Sequence, residues 1–550
     1  MHNNGKAVPY NWILGFLVSI FTVFGFELEI FKGVLLKNPL TYLAIIIIGL
    51  CAGFVIEKSW ILLSKKGAHD VLTGRFQDPE AYTKPGLKTF LSSAGIIFAG
   101  HFIVLLACFP GFFVYDAQDE LIQTVLRSYN TQHPLLHVLG MGGVIQLVHK
   151  ITGSYNLAIF TFIFGGMLLN VVIYAFLVYY LRSFGLRSRG AVLISLYFAL
   201  FPVLVMYSLC SSKDGVFGCM LLLVFLHLKE ALECPDVFFA SPKKAMNMAV
   251  ASCAMMLFRN NGVYAYCIFI VFLAAYIRKD LRLRRYIARF IMPCIMAVIA
   301  YFMITASLTF ATKAHDVGHK EILTVPIMQL ARVYEYSPEK LPAGAYEKIE
   351  YYINKDNLDY YEPKSSDAVK AGFNEENFLE DELGFFKLWA QVGIRNINEY
   401  IDAALSTSYE LWYPWTVIDG YAGRQTFTYV YGGSSYFGYE TEQPGERHSL
   451  IPFIDAFYRW ISLNPLIQKI PVVHLALSPG ALLWALLYLM GYMCHEEHRL
   501  DALPYLLPLL VVCTCLLGPM SLVRYVYYLW VFVPVIVLEI YIKRWYIVEP

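Results

Sequence analysis

Residues 39–57 read PLTYLAIIIIGLCAGFVIE, and the solvent this stretch requires decides the kind of fold. Between Leu40 and Ile56 no side chain carries a charge. A helix needs about 20 such residues to cross the hydrocarbon of a bilayer, where it can satisfy every backbone polar group internally. Working outward, comparable runs lie at 11–29, 89–108, 155–181, 190–208, 215–231, 246–258, 262–277, 290–311, 474–493, 502–518 and 522–541. With residues 39–57 they make twelve candidate spans. A composition of 58% hydrophobic and 15% charged residues fits lipid as the solvent. The formal charge of +1 gives no basic field, so nucleic acid is excluded as a partner on that ground. Lys6 before an apolar run resembles a signal peptide, but no small-residue cleavage site precedes Glu27 and Glu29, so 11–29 is read as an uncleaved first span. The 11 cysteines sit in or beside apolar runs, none of them in 312–473, and form no disulfide framework or spaced metal cluster.

Positive charge orients the spans, because short cytoplasmic loops are enriched in Lys and Arg. The rich clusters are Lys58, Lys65, Lys66, Arg75, Lys84 and Lys88; Arg182, Arg187 and Arg189; Lys229, Lys243 and Lys244; Arg278 to Arg289; and Lys543 with Arg544. Twelve spans put all of them on one face and both termini in the cytoplasm. Residues 135–149 (LLHVLGMGGVIQLVH) are apolar but only about 22 Å long as a helix. Counting them as a crossing would send Arg182 to Arg189 and Arg278 to Arg289 outside, so they are read as a helix lying in the outer interface.

The chain therefore divides into 1–88, two spans and a cytoplasmic loop; 89–311, a helical membrane core with an acidic outer loop at 109–134; 312–473, an extracytoplasmic insert; and 474–550, the last spans. Within the insert 321–336 and 377–409 look helical, whereas WYPWTVIDGYAGRQTFTYVYGGSSYFGYE (412–440) is aromatic and strand-like, which predicts an α+β domain.

The acidic loop FPGFFVYDAQDELIQTVLRSYNTQHP (109–134) gathers Asp116, Asp119, Glu120 and His133 beside the hydrocarbon boundary, where carboxylates are costly to place. The bland alternative is that they cap a helix and face water. Lys213-Asp214, Arg259-Asn260 and Arg524 fall at span ends on the same face, and three such loops facing one side are able to ring a polar cavity. The bland alternatives are loop punctuation, a local Lys213–Asp214 ion pair worth about 0–1 kcal/mol, and His133 as a turn residue.

The order FPGFFVYDAQDELIQ, QHP, SSKDGVF and FRNNG resembles the GT-C superfamily of polyprenyl-phosphate-dependent glycosyltransferases. Within it, the chain is similar to a Gram-positive bacterial membrane family marked by a PG-x4-D signature. VPIMQLARV (325–333), SDAVK (366–370), FFKLWAQVGIRNINEYIDAAL (385–405) and SYELWYPW (408–415) add to the match, which runs from about residue 90 to the end. The first two spans look like an addition. The resemblance implies a polyprenyl-phosphate sugar donor, a glycan or glycolipid acceptor outside the cytoplasm, and a first-loop carboxylate acting on the acceptor hydroxyl. It points to Asp116 as the base, with Asp119 and Glu120 as the neighbouring acids. The chemistry suits these residue types, since an attacking hydroxyl sheds a proton to a carboxylate. A departing lipid phosphate needs positive charge. Arg259 and Arg524, with Lys213, supply it, and Arg suits bidentate phosphate contact. His133, Asp214 and Asn260 complete the substrate-binding set. Paired acids also suit Mg²⁺ or Mn²⁺, although nothing in the spacing requires a metal.

Trp412, Tyr413, Trp415 and the tyrosines that follow are able to stack on acceptor sugars; the alternative is that they form the insert's own core. A polytopic transporter or flippase of lipid-linked precursors is the competing function. Against it stand the absence of a two-half repeat of interrupted helices and the asymmetric insert. A third reading is a scaffold that displays the insert to partners.

Overall fold

The computed structural model describes residues 9–65, 85–183, 186–416, 441–464, 466, 469–496 and 499–541. Among them every regular element is helical, joined by a few isolated β-bridges. The strand-like run expected at 412–440 falls largely on 417–440, outside the described residues, as do Lys66, Arg75, Lys84, Lys543 and Arg544.

The chain is a polytopic all-α membrane protein. Its first helices are α1 (Tyr10–Phe31), α2 (Pro39–Lys65), α3 (Leu87–Ala107), α4 (Ala117–Leu126), α5 (Leu135–Thr152), α6 (Tyr155–Ser183), α7 (Ser188–Leu200), α8 (Pro202–Ser208), α9 (Asp214–Glu233), α10 (Pro235–Phe239), α11 (Pro242–Phe258), α12 (Asn261–Lys279) and α13 (Ile287–Thr312). After the insert come Pro471–Leu477, Pro479–His495, Arg499–Cys515 and Tyr528–Tyr541. Among the described residues eight helices are long and apolar enough to cross a membrane, or up to ten if each bent pair is one span. The difference from twelve has a local cause. Phe201-Pro202 and Ser478-Pro479 break two expected spans into pairs bent by 60° and 76°, because proline cannot continue the backbone ladder. Three others, Pro242–Phe258, Arg499–Cys515 and Tyr528–Tyr541, stop at 17, 17 and 14 residues.

Helix α5 extends to 18 residues and is apolar enough to cross a membrane by length and composition. Phe102 of α3 meets Phe164 of α6 and Phe109, just past the end of α3, meets Phe160, so the two helices run antiparallel. The face on which α3 ends is therefore the face on which α6 begins. Helix α5 starts from the loop after α3 and ends at Gly153, just before α6. The basic ends of α6 (Arg182) and α12 (Arg278, Lys279) lie at the opposite face.

Helices α1 and α2 pack so closely that a Cβ on Gly15 would come within 2.5 Å of the Gly53 nitrogen, a small-residue contact typical of helices in lipid. They are also tied to the insert. Val34 N donates to Asp402 (2.7 Å), Arg332 to the Lys32 carbonyl (3.2 Å) and Tyr409 to Glu29 (2.5 Å). The described insert residues bury a core of their own, including Ile327, Leu330, Ile349, Phe385 and Val392. Helices Thr324–Tyr336, Glu382–Arg395 and Ile397–Ser406 match the expected helical stretches. Trp412 and Tyr413 are buried, with Trp412 edge-on to Phe21 of α1 at 4.9 Å, while Trp415 is exposed and stacks on His474. Helix Pro452–Leu463 lies against the α3 end and reaches α8 through Ser462 and Met206, leaving Phe453, Phe457 and Trp460 exposed along one side.

Candidate functional site

The site begins where α3 stops. Gly111 takes φ +113, and a Cβ there would meet Ile163 of α6 at 2.7 Å, so this turn needs glycine. The chain then runs beside the α8–α9 connection: Phe112 N donates to Leu209 O (3.0 Å) and Ser211 N to Phe112 O (2.9 Å). Tyr115 and Asp116 follow in the left-handed region, at φ 59 and 73. Neither is glycine, and such strain persists only when the surroundings over-determine it.

The strained pair aims the Asp116 carboxylate away from α4, which it does not cap. Its Oδ2 instead lies 3.4 Å from both terminal nitrogens of Arg524. Arg524 is buried on the short turn before Tyr528–Tyr541, with its guanidinium over Tyr115 (4.5 Å) and Tyr525 (5.2 Å). Arg259 covers the same Tyr525 ring at 4.7 Å, donates to the Tyr525 carbonyl (2.6 Å), and approaches Asp214 Oδ1 at 3.5 Å. Two guanidinium groups thus share one ring, each with a carboxylate beside it. Contacts of 3.4–3.5 Å are longer than the roughly 2.8 Å of a tight charge-assisted bond. Among the described residues, Arg524 Nε and Asp214 Oδ2 are buried without a partner.

A second cluster is tighter. Lys213 Nζ donates to Glu120 Oε1 (3.0 Å) and lies 2.9 Å from His133 Nδ1, while His137 Nε2 is 3.2 Å from Glu120 Oε2. The bland alternative of a local Lys213–Asp214 pair does not form: Lys213 reaches back to α4, and Asp214, the first residue of α9, turns to Arg259. Helix geometry is the cause, since adjacent residues point to different sides. Glu120 is buried, whereas Asp119 is exposed and accepts from Gln123 in its own helix (2.8 Å). The two acids thus face different surroundings and do not act as a pair.

Burial opposes a charge on Asp116, but Arg524, Lys213 and His133 outweigh it and hold the carboxyl down at about 2. Burial, with Lys213 beside it, lowers His133 to about 4, so the ring is neutral and accepts from the ammonium. Arg524 carries the fixed positive charge of a guanidinium beside Asp116 and the Tyr525 ring.

One acid was missed from the sequence. Glu442 accepts from Gln118 N (2.7 Å), satisfying an open N–H in the first turn of α4. Its own N–H donates to Phe113 O (2.7 Å). Burial raises its carboxyl to about 7, with Asp116 and Glu120 adding to the rise and the Gln118 hydrogen bond and Arg524 opposing it. Residues 441–450 form a strap: Thr441 bonds the Gly111 carbonyl, His448 N the Phe109 carbonyl and Leu450 N the Leu106 carbonyl. No local pattern announces a partner 324 positions away.

His133 and Asn260 also line an open cleft walled by Leu135, Leu257, Tyr301 and Leu308. Asn260 lies at the start of α12. Among the described residues no three His, Cys, Asp or Glu side chains are placed to hold a metal ion. Glu120, His133 and His137 come together, but the Lys213 ammonium already sits against Glu120 and His133. These residues do not fit Mg²⁺ or Mn²⁺.

A model of a family of unknown function (DUF6020) matches residues 123–545, and the chain belongs to that family. The match includes His133, Lys213, Asp214, Arg259, Asn260, Glu442 and Arg524, and begins after Asp116, Asp119 and Glu120. No curated protein and no solved structure matches the chain.

Proposed function

We propose that this member of a family of unknown function is a GT-C-type membrane glycosyltransferase. It moves a sugar from a polyprenyl-phosphate donor to an extracytoplasmic glycan or glycolipid of the cell envelope. The reading takes twelve crossings with α5 in the outer interface, both termini in the cytoplasm, and the acid-loop face outside, as the positive-inside rule prescribes.

The observation that carries it is the loose pairing of Asp116 with Arg524 above the ring shared with Arg259. A phosphate at this place competes for Arg524, whose 3.4 Å contact leaves it free to re-partner. In the reaction the acceptor oxygen bonds to the anomeric carbon, the carbon–oxygen bond to phosphate breaks, and the electron pair leaves with the lipid phosphate. Arg524 and Arg259 neutralise that charge in a half-buried site, where it is worth most. The cleft lined by His133 and Asn260 offers apolar walls beside the polar floor, suited to the start of a lipid chain.

The resemblance assigns the acceptor's proton to Asp116. A carboxyl held down at about 2 is a weak base at neutral pH, so its pairing supports a different role: Asp116 aims Arg524. Asp116→Asn is expected to insert and fold normally yet lose at least tenfold in transfer from a labelled C55 polyprenyl-phosphate hexose in envelope membranes. Wild-type transfer in that variant rules out the assignment. The two bent helix pairs favour transport as the second reading. Movement of the intact lipid-linked donor across sealed vesicles, without sugar transfer, would establish it.

A further inference from the structure

We infer that Glu442 is the general base that takes the proton of the attacking acceptor hydroxyl, an assignment that rests on the glycosyl-transfer reading.

Three observations on the structure converge on this residue. Glu442 is brought over the acid loop by the strap 441–450, which the Phe113, Gly111, Phe109 and Leu106 carbonyls hold in place. It keeps partial exposure, unlike Glu120, and lies within electrostatic reach of Asp116 and Arg524. Only Oε2 is engaged, by Gln118 N; among the described residues Oε1 has no hydrogen-bond partner, so an acceptor hydroxyl can donate to it. Asp116 is committed to Arg524, and Glu120 to Lys213 and His137.

The electrostatics agree with this placement. The groups facing Glu442 are Asp116 of the acid loop, Glu120 of α4 and Arg524 of the C-terminal turn. Two carboxyls in one site are driven apart, one to about 2 and the other to about 7, and such a divergence separates the permanently charged acid from the one that exchanges protons. The step balances: Glu442 gains the hydroxyl proton, the freed oxygen pair forms the bond to the anomeric carbon, and the carbon–oxygen pair departs with phosphate on Arg524. Glu442 then returns its proton to water.

The test uses envelope membranes of the producing cell, lacking the chromosomal copy and supplied with full-length wild-type or variant chain. C55 polyprenyl-phosphate hexoses carrying labelled glucose, galactose or mannose are the donors. Wild-type incorporation into glycan should rise with pH through a midpoint near 7. Glu442→Gln should lose about 100-fold or more, the range of a general base, and lose that pH limb. Glu442→Asp should keep the limb at a reduced rate, and Asp116→Asn should be slower while keeping the limb. If Glu442→Gln does not accumulate, the limb in wild type and Glu442→Asp is the readout. Wild-type rate and limb in Glu442→Gln, or no limb in wild type and Glu442→Asp, would overturn the inference while leaving the transfer reading intact. No incorporation by wild type from any donor would overturn both.

Discussion

His133 shows how a single buried side chain sets an acid limit on this site. Its ring is held neutral against Lys213 and Glu120, and its folded value, about 4, lies below the ordinary 6.5. A lowered histidine contributes stability that is complete above pH 6.5 and is lost as pH falls through 4, with a ceiling on the order of 3 kcal/mol. Glu442 has the opposite sign. Its folded value near 7 exceeds the ordinary 4.5, so its contribution is complete below 4.5 and lost as pH rises through 7. The two are separable by difference. Thermal midpoints of wild type minus His133→Gln, measured in detergent from pH 4 to 7.5, should fall toward the acid end. A flat difference would show that His133 is not held below its ordinary value in the folded protein.

At the scale of elements, the acid loop is held by close approach. Gly111 at φ +113 fits against Ile163 and the Leu209 carbonyl, and the next residues pair with Leu209 and Ser211 before the left-handed Tyr115–Asp116 turn. Gly111→Ala should destabilise by about 1–3 kcal/mol, because the added Cβ meets both a strained backbone and packed neighbours. Gly140→Ala in α5, where nothing lies within 4 Å of the new Cβ, should be neutral or stabilising by up to about 1 kcal/mol. Melting curves of the two variants check this contrast, and equal effects would contradict the packed loop. Helix α5 is the companion element. Its first turn brings His137 to Glu120.

Across the whole molecule, apolar runs and basic clusters were readable because they are local quantities. The helix positions at 11–29, 39–57, 155–181 and 290–311 lie within observed helices, and the basic ends of α6 and α12 lie at one face. The concentration of acids after α3 was equally plain in FVYDAQDE. What stayed hidden depends on distant backbone. Nothing in SSKDG shows that Lys213 and Asp214 serve different partners, and nothing in TEQPGE shows that Glu442 meets Gln118. The left-handed Tyr115–Asp116 turn carries no glycine to announce it. Charges within the helices follow the same logic as the site. Lys229 pairs with Glu539, close to the ends of α9 and Tyr528–Tyr541, which offsets the cost of placing either in lipid.

The envelope glycan itself records whether the protein transfers sugar. Intact mass of that glycan, compared between cells carrying wild-type chain and cells carrying Asp116→Asn at equal membrane abundance, reads the product without presuming an acceptor. The expected result is a species lighter by one hexose, or by a whole number of hexoses, in the variant. Identical masses in wild-type, variant and deletion cells would contradict glycosyl transfer as the activity of this protein.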